Sequence, residues 1–433
     1  DHILSITNNM LFEGLRMKIY DRDIIQKQLE QIYTYNIYDT VPTYIERKKV
    51  SLTNNNKLKP IAFYLPQYYP TKINNQNWGN GFTEWTNVAK AVPQYYGHYQ
   101  PHIPETFGYY DLRNVSVMEE QCNLAKEYGV FGFCFYYYYF QGETQLDVPL
   151  NNYVNDSNIN FPFCLCWANE NWTKAWAQHS RKVLIAQTYG DRKDWERHFN
   201  YLLPFFKDKR YIYKDGMPVF VIYRPELIPT LRPMLELWDQ LAKQNGLKGI
   251  VYMYQQHDYD HRTADTGDLF SYAIEYEPGR VRGYYPKFPK KEQQICSFKI
   301  SFRRGLNLLV NKLHLKQTKL SSVCYSYDDA WKRILALKPT DNKLMPGAFV
   351  DWDNTPRYKS RASIFQGATP EKFERYLTQQ ICHARDDYKK DMIFMFAWNE
   401  WGEGGYLEPD EKYGYGMLEA VHNALDKTGE LEN

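Results

Sequence analysis

Residues 391–398 read DMIFMFAW and residues 399–410 continue NEWGEGGYLEPD, a short unbroken apolar run that gives way at once to acids, tryptophans and glycines. The first half has the length and composition of a strand buried on both faces, as strands of a parallel sheet are. An amphipathic helical pattern precedes it over Thr369–Arg385, and another follows over roughly Tyr415–Leu425. Working outward, the same unit recurs. Apolar runs occupy Ile61–Pro66, Val130–Tyr137, Phe161–Trp167, Met217–Arg224, Gly249–Tyr254, Leu269–Tyr276 and Pro346–Asp351. Helical patterns lie between most of them, over Val115–Tyr128, Arg192–Lys207, Leu231–Asn245 and Tyr327–Leu337, while Gln255–Asp268 is too polar to read as a helix. Eight strands with helical crossovers predict an α/β fold, a (β/α)8 TIM barrel. An open doubly wound sheet is the competing architecture, and no GxGxxG turn follows the first strand to support it.

The barrel is expected over 58–426, with an N-terminal appendage and linker over 1–57 and a short tail over 427–433. A helical stretch over Asp21–Tyr35 and a polar run at Asn54–Asn56 mark the appendage. The chain opens on Asp1 rather than Met, which leaves room for a segment upstream. Between strands six and seven lies a basic insertion, 286–320. From Lys287 to Leu320 it carries nine Lys and Arg against Glu292 alone, net +8, in a chain whose overall charge is +2. Its mixture of Leu, Val and Lys could suit a segment lying on an anionic membrane surface; a solvated basic excursion packed on the barrel is the alternative. Near-neutral charge gives no global field for nucleic acid. No apolar run is long enough to span a bilayer, and the seven scattered cysteines form neither a disulfide framework nor a zinc pattern. A reducing, cytoplasmic setting is expected, with 286–320 as the candidate contact with the inner face of the membrane. Aromatic residues make up 17% of the chain, a surplus that stacking on sugar faces would use.

In a barrel of this class, chemistry sits at the C-terminal ends of the strands. Those ends carry Tyr64 and Gln67, Tyr137, the WANENW segment with Trp167, Asn169, Glu170 and Trp172, then Arg224, Glu275, Asp351 and Trp398. Trp85 lies in the long loop after the first strand, and Asn399, Trp401 and Glu408 in the loop after the last. Together they read as the wall of a pocket for a glycan. Glu400 and Glu403 are the candidate catalytic pair. Three-residue spacing in a turn can bring two carboxylates within ~5–6 Å; in a stretched loop they separate further. A carboxyl pair in unequal environments, one protonated and one ionised, is what glycosidic chemistry requires. Asp351-Trp352-Asp353 has the spacing of a metal-binding DxD of nucleotide-sugar glycosyltransferases, without the surrounding nucleotide fold. His257, Asp258, Asp260 and His261 meet no ligand spacing rule. No metal or organic cofactor is expected. A donor-dependent glycosyltransferase and a non-catalytic glycan-binding module remain as alternatives.

The runs IAFYLPQYYP, GFTEWTNV, GHYQPHIP, LAKEYGVFGFCFYYYYF, FPFCLCWANENWT, VDWDNTPR and AWNEWGEGGYLEPD resemble the WbsX-type proteins found with genes for O-antigen and capsule assembly, over about Pro60–Leu425. That family is similar in turn to the endo-α-mannosidase family of glycoside hydrolases, (β/α)8 barrels whose last strand is followed by a comparable Asn-Glu-Trp-x-Glu-Gly segment. The resemblance implies a retaining mechanism without a protein nucleophile. Glu400 would assist a sugar 2-hydroxyl in attacking its own anomeric carbon, and Glu403 would serve as general acid/base. Gly402 departs from the hydrolases, which commonly carry His there. The implied substrate is a glycan or lipid-linked glycan of the bacterial surface, with hydrolysis and transfer both open.

Overall fold

The computed structural model describes residues 44–48, 56–94, 98–173, 182–257, 267–283 and 322–431. Within them, eight parallel strands ring a common axis: β1 (Lys59–Tyr64), β2 (Gly132–Phe140), β3 (Phe163–Trp167), β4 (Met217–Ile222), β5 (Val251–Gln256), β6 (Tyr272–Glu275), β7 (Gly347–Phe349) and β8 (Met392–Phe396). Each falls on an apolar run expected to be a strand. The largest trimming is at β6, where the expected Leu269–Tyr276 shrinks to Tyr272–Glu275. Pairing follows chain order from β1 to β6, and β8 returns to β1 with Ile61 opposite Phe394. The ring is the (β/α)8 barrel expected from the sequence.

Closure between β6 and β8 is unusual. The seventh strand is split at Pro346, with Leu344–Met345 pairing β6 and Gly347–Phe349 pairing β8. Proline has no N–H to give a ladder, so a break there is where the chain can change partners. Just past the break, a Cβ on Gly347 would lie 1.7 Å from the Glu275 carbonyl oxygen, so only glycine fits this approach. Gly347→Ala is therefore expected to lower stability by about 1–3 kcal/mol or more through overpacking. The check is the denaturation midpoint; an unchanged midpoint would show that the seam yields freely.

Among the described residues, the crossovers are α1 (Val115–Glu127), α2 (Val148–Asn155), α3 (Arg192–Phe206), α4 (Leu231–Gln244), α5 (Tyr327–Ala336), α6 (Pro370–Asp386) and α7 (Gly416–Thr428). The sequence pattern missed α2, which is short and interrupted by Asn151, Asn152 and Asn155. In α4, Leu231, Met234, Leu235, Trp238 and Ala242 are buried, the spacing of one helical face against the sheet. Starts are locally encoded: Asp191 accepts from the Lys193 and Asp194 N–H groups at α3, and Thr369 from that of Lys372 at α6. The expected helix over Asp21–Tyr35, the basic insertion 286–320 and residues 258–266 of the fifth crossover lie outside the described residues. No described helix is long and apolar enough to cross a membrane. The described cysteines are free.

The described part of the N-terminal segment is docked on the barrel. Ile45 exchanges backbone hydrogen bonds with the loop after β8, its N–H to the Tyr413 carbonyl at 3.3 Å and its carbonyl from the Tyr415 N–H at 2.8 Å. Arg47 pairs with Glu127 of α1 at 2.6 Å. At the other end α7 runs on to Thr428, and Glu430 is buried beside Arg385.

Candidate active site

Strand parity decides what faces the barrel axis. Phe63 of β1 meets Tyr276 beyond β6 at 6.1 Å between ring centroids, and the Gln255 amide of β5 donates to the Tyr136 hydroxyl of β2 at 2.8 Å. These contacts cross the ring, so Phe63, Tyr136, Gln255 and Tyr276 are interior. Continuing β2 by two residues puts Tyr138 at the mouth.

The loop after β8 is a tight hairpin. Asn399–Glu400 pairs antiparallel with Gly405–Tyr406, and Trp401–Glu403 forms one 3-10 turn between them. The carboxyl spacing is thus that of a turn. Three clamps hold the hairpin. The Asn399 side chain accepts from the Leu65 N–H at 2.8 Å and donates to the Leu65 carbonyl at 3.1 Å. Tyr68 donates to the Asn399 carbonyl at 2.5 Å and accepts from the Trp401 N–H at 3.2 Å. Trp401 stacks on Tyr406 at 3.7 Å and donates from Nε1 to Glu408 at 2.6 Å.

Both glutamates of the pair reach one guanidinium. Arg357, from the short helix Thr355–Tyr358 after β7, lies 2.8 Å through Nη2 from Glu400 Oε1 and 3.0 Å through Nη1 from Glu403 Oε1. Its Nε is 2.9 Å from Glu84 Oε1, on the short helix Glu84–Val88 in the loop after β1. The Glu400 side chain is 3% exposed and that of Glu403 is 17%, so Glu403 is the one turned to the opening. Burial raises both carboxyls above the usual range, Glu400 the more strongly, and Arg357 works against that rise. The pair therefore keeps a proton more readily than two solvated glutamates would. Around it stand tyrosines whose phenols are raised first by burial: Tyr68 and Tyr138 then by Glu400, Tyr223 then by Glu170 and Glu403, and Tyr276 then by Tyr223 and after it by both members of the pair.

Of the residues expected to bind a glycan, Trp172 stacks on Tyr138 at 5.6 Å, and Glu170 pairs with Arg224 at 2.8 Å beside Tyr223. Gln67 is buried at the end of β1, its Nε2 without a hydrogen-bond partner among the described residues. Others do not face the site. Tyr64 donates to Gln121 of α1 at 2.7 Å, Tyr137 bonds His198 of α3 at 2.9 Å, and Trp167 packs against His198 and Trp238. These are outward-facing positions of their strands, filling the sheet–helix layer. Trp398 joins the same layer against Phe133, and Glu275 is held by Arg280 at 2.8 Å and Tyr388 at 2.7 Å. Asn169 staples Arg224 through that residue's N–H and carbonyl. Trp85, Asn399, Trp401 and Glu408 are buried supports beneath the pair rather than wall residues. Glu408 accepts from Trp401, Tyr110 and Gln121, and burial pushes it up to about 7.

Asp351 lies apart, in a cavity of about 340 Å³ with Asp353, Asp410, Lys412 and Tyr413. Asp353 is spoken for: His98 and Gln100 bind its Oδ2 at 2.7 and 2.6 Å, and Thr355 donates to Oδ1 from its N–H at 2.9 Å and its hydroxyl at 2.5 Å. The DxD spacing thus serves internal bonding at its second aspartate. Among the described residues no cluster of three His, Cys, Asp or Glu could hold a metal ion; His257 packs between Tyr223 and Tyr276, and Asp258, Asp260 and His261 lie outside the described residues. Sequence reasoning missed Glu84, Arg357, Tyr138, Tyr223 and Tyr276.

Comparisons with known proteins agree with this architecture. A solved "Glycoside hydrolase-like protein" superimposes with a TM-score of 0.50 at 13% identity, covering 88% of this chain and 98% of its own, a likeness of fold alone. The GH99 endo-alpha-mannosidase from Bacteroides thetaiotaomicron gives 0.47 at 11% identity, covering 88% and 98%. Two WxcX proteins of Xanthomonas campestris pv. campestris are similar in sequence. That of strain B100 is 33% identical over 86% of this chain and 50% of the relative, and that of strain ATCC 33913 is 32% identical over 90% and 52%. The chain thus spans about half the length of the curated relatives it matches. The family described as "Glycosyltransferase WbsX" matches residues 60–421. The chain belongs to the WbsX glycosyltransferase family.

Proposed function

We propose that this barrel breaks and re-forms glycosidic bonds of a bacterial surface polysaccharide or its lipid-linked precursor, using Glu400 and Glu403 for the proton transfers. One observation carries the reading: two buried carboxyls at the end of the last strand share a guanidinium, and one of them faces the opening. Glu403 gives its proton to the leaving oxygen as the C1–O bond breaks, which requires the bound glycan to shift the shared proton from Glu400, the carboxyl that burial raises the more strongly, onto Glu403. Glu400 takes the proton of the 2-hydroxyl as that oxygen closes on C1, giving an anhydro sugar. An incoming hydroxyl then reopens it, losing its proton to Glu403 while Glu400 returns one to O2. An acceptor sugar gives transfer and water gives hydrolysis. Trp172 and Tyr138 offer a stacking face, and Glu170 with Arg224 polar contacts, beside the pair.

The donor-dependent alternative would place a divalent ion on Asp351 and Asp353, and the saturated Asp353 carboxylate speaks against it. The test is mass spectrometry of the host's isolated lipid-linked and surface glycan after incubation with enzyme, with and without nucleotide sugars. Cleavage or rearrangement is expected without any donor, falling ~10²–10⁴-fold in Glu400→Gln, the usual worth of a general base. Product only in the presence of a nucleotide sugar would overturn the proposal.

A further inference from the structure

We infer that Arg357 and Glu84 are positioning residues that set how many protons the Glu400–Glu403 pair carries, and that Gly402 is glycine because their ion pair occupies its side-chain space. The inference rests on reading Glu400 and Glu403 as the proton-transferring pair. The loops after β1, β7 and β8 each contribute to one cluster of charges: Glu84 from the first, Arg357 from the second, both glutamates from the third. Each guanidinium nitrogen is committed to a different carboxylate. A Cβ on Gly402 would lie 2.3 Å from Glu84 Oε1 and 2.8 Å from Arg357 Nε. Any side chain at 402 would have to evict the pair, so the small residue and the ion pair form one arrangement.

The charge count gives the arrangement its consequence. Three carboxylates face one fully buried cation, and an uncompensated charge in such a place is strongly disfavoured. The other groups facing the cluster are Arg282, which acts on Glu403, and the phenols of Tyr68, Tyr138, Tyr223, Tyr276 and Tyr358. The phenols are raised and stay neutral in the working range. Arg357 pulls both glutamates toward the ionised form, and Glu84 takes up part of that pull. Removing each partner must then move the pair in opposite directions. Without Glu84 the whole guanidinium charge acts on Glu400 and Glu403, and they ionise at lower pH. Without the guanidinium they ionise at higher pH.

The experiment titrates the pair directly by carbon-13 NMR of carboxyl-labelled glutamate, with resonances assigned by their loss in Glu400→Gln and Glu403→Gln. Glu84→Gln should lower the titration midpoints by about one pH unit and Arg357→Met raise them by at least as much, a tenfold change in proton affinity per unit. The pH profile of glycan conversion in each variant should shift the same way. Arg357→Lys, which keeps the charge and loses the fork, should restore the midpoints toward wild type while kcat stays low; it also keeps the test alive should Arg357→Met fail to fold. Midpoints that stay put, or that move together in Glu84→Gln and Arg357→Met, would reduce both residues to packing and overturn the inference. Opposite shifts with no conversion by wild type would instead sink the catalytic reading and leave the proton-setting role standing.

Discussion

Glu403→Gln should lose ~10²–10⁴ of turnover on the native glycan and little on a substrate whose leaving group needs no proton. The asymmetry follows from position. Glu403 is the member of the pair turned to the opening, so it is the one that can reach a leaving oxygen, whereas Glu400 lies beneath it. A sugar alkoxide leaves poorly unless protonated in the transition state; an activated aryl oxide leaves unaided. Glutamine keeps the size and the contact with Arg357 Nη1 through its carbonyl oxygen, so the variant removes the proton and leaves the geometry nearly intact. The measurement is kcat on native glycan and on aryl glycosides of the same sugar, for wild type and variant side by side. Equal losses on both substrates would mean that Glu403 acts in the sugar-activation step instead. No loss on either would remove it from the chemistry.

The largest stability effect is expected at Trp401. Its ring lies between Tyr406 at 3.7 Å and Trp85 at 5.5 Å, fully buried, and its Nε1 supplies one of the donors to Glu408. Trp401→Ala deletes that ring from a packed site, a change that typically costs ~3–5 kcal/mol. It also leaves the buried Glu408 carboxyl short of a donor, a loss of ~1–3 kcal/mol when a polar group goes unpaired. Trp401→Phe keeps most of the stack and loses only the donor, so it should fall between the two. Guanidinium denaturation of the three proteins orders them. An unfolding free energy for Trp401→Ala within about 1 kcal/mol of wild type would show that the hairpin is held by the Asn399 and Tyr68 clamps alone.

The barrel was legible because each parallel strand is buried on both faces and leaves an unbroken apolar run. The same property hid the site wall. In a run such as Gly132–Phe140 every residue is apolar or aromatic, so composition does not say which parity faces the axis. Tyr137, Tyr64 and Trp167, named from the sequence, fall on the outward parity, and Tyr138 on the inward one. The glutamate pair was legible as a candidate because it follows a strand directly. Glu84 and Arg357 were not, since each sits on a short helix inside a loop, and only as the lone acid of GFTEWTNV and the lone base of NTPR did they leave a trace. Their meeting is a tertiary fact, made by three loops at once.

The split seventh strand has a kinetic side. The ring cannot close until Leu344–Phe349 arrives to satisfy β6 with one end and β8 with the other. The β6 ladder joins Ile274 to Met345 across a long intervening stretch of chain, while β1 with β8, Ile61 opposite Phe394, is the far more non-local pairing and should form late. Lengthening that stretch costs little at the moment of closure, since each doubling of a flexible loop adds only about 0.6 kcal/mol. Arg357 follows the split seventh strand, and Glu400 and Glu403 follow the eighth. The cation and two of the carboxylates it gathers are thus delivered by the last two staves of the barrel, and the site is assembled only when the ring is whole.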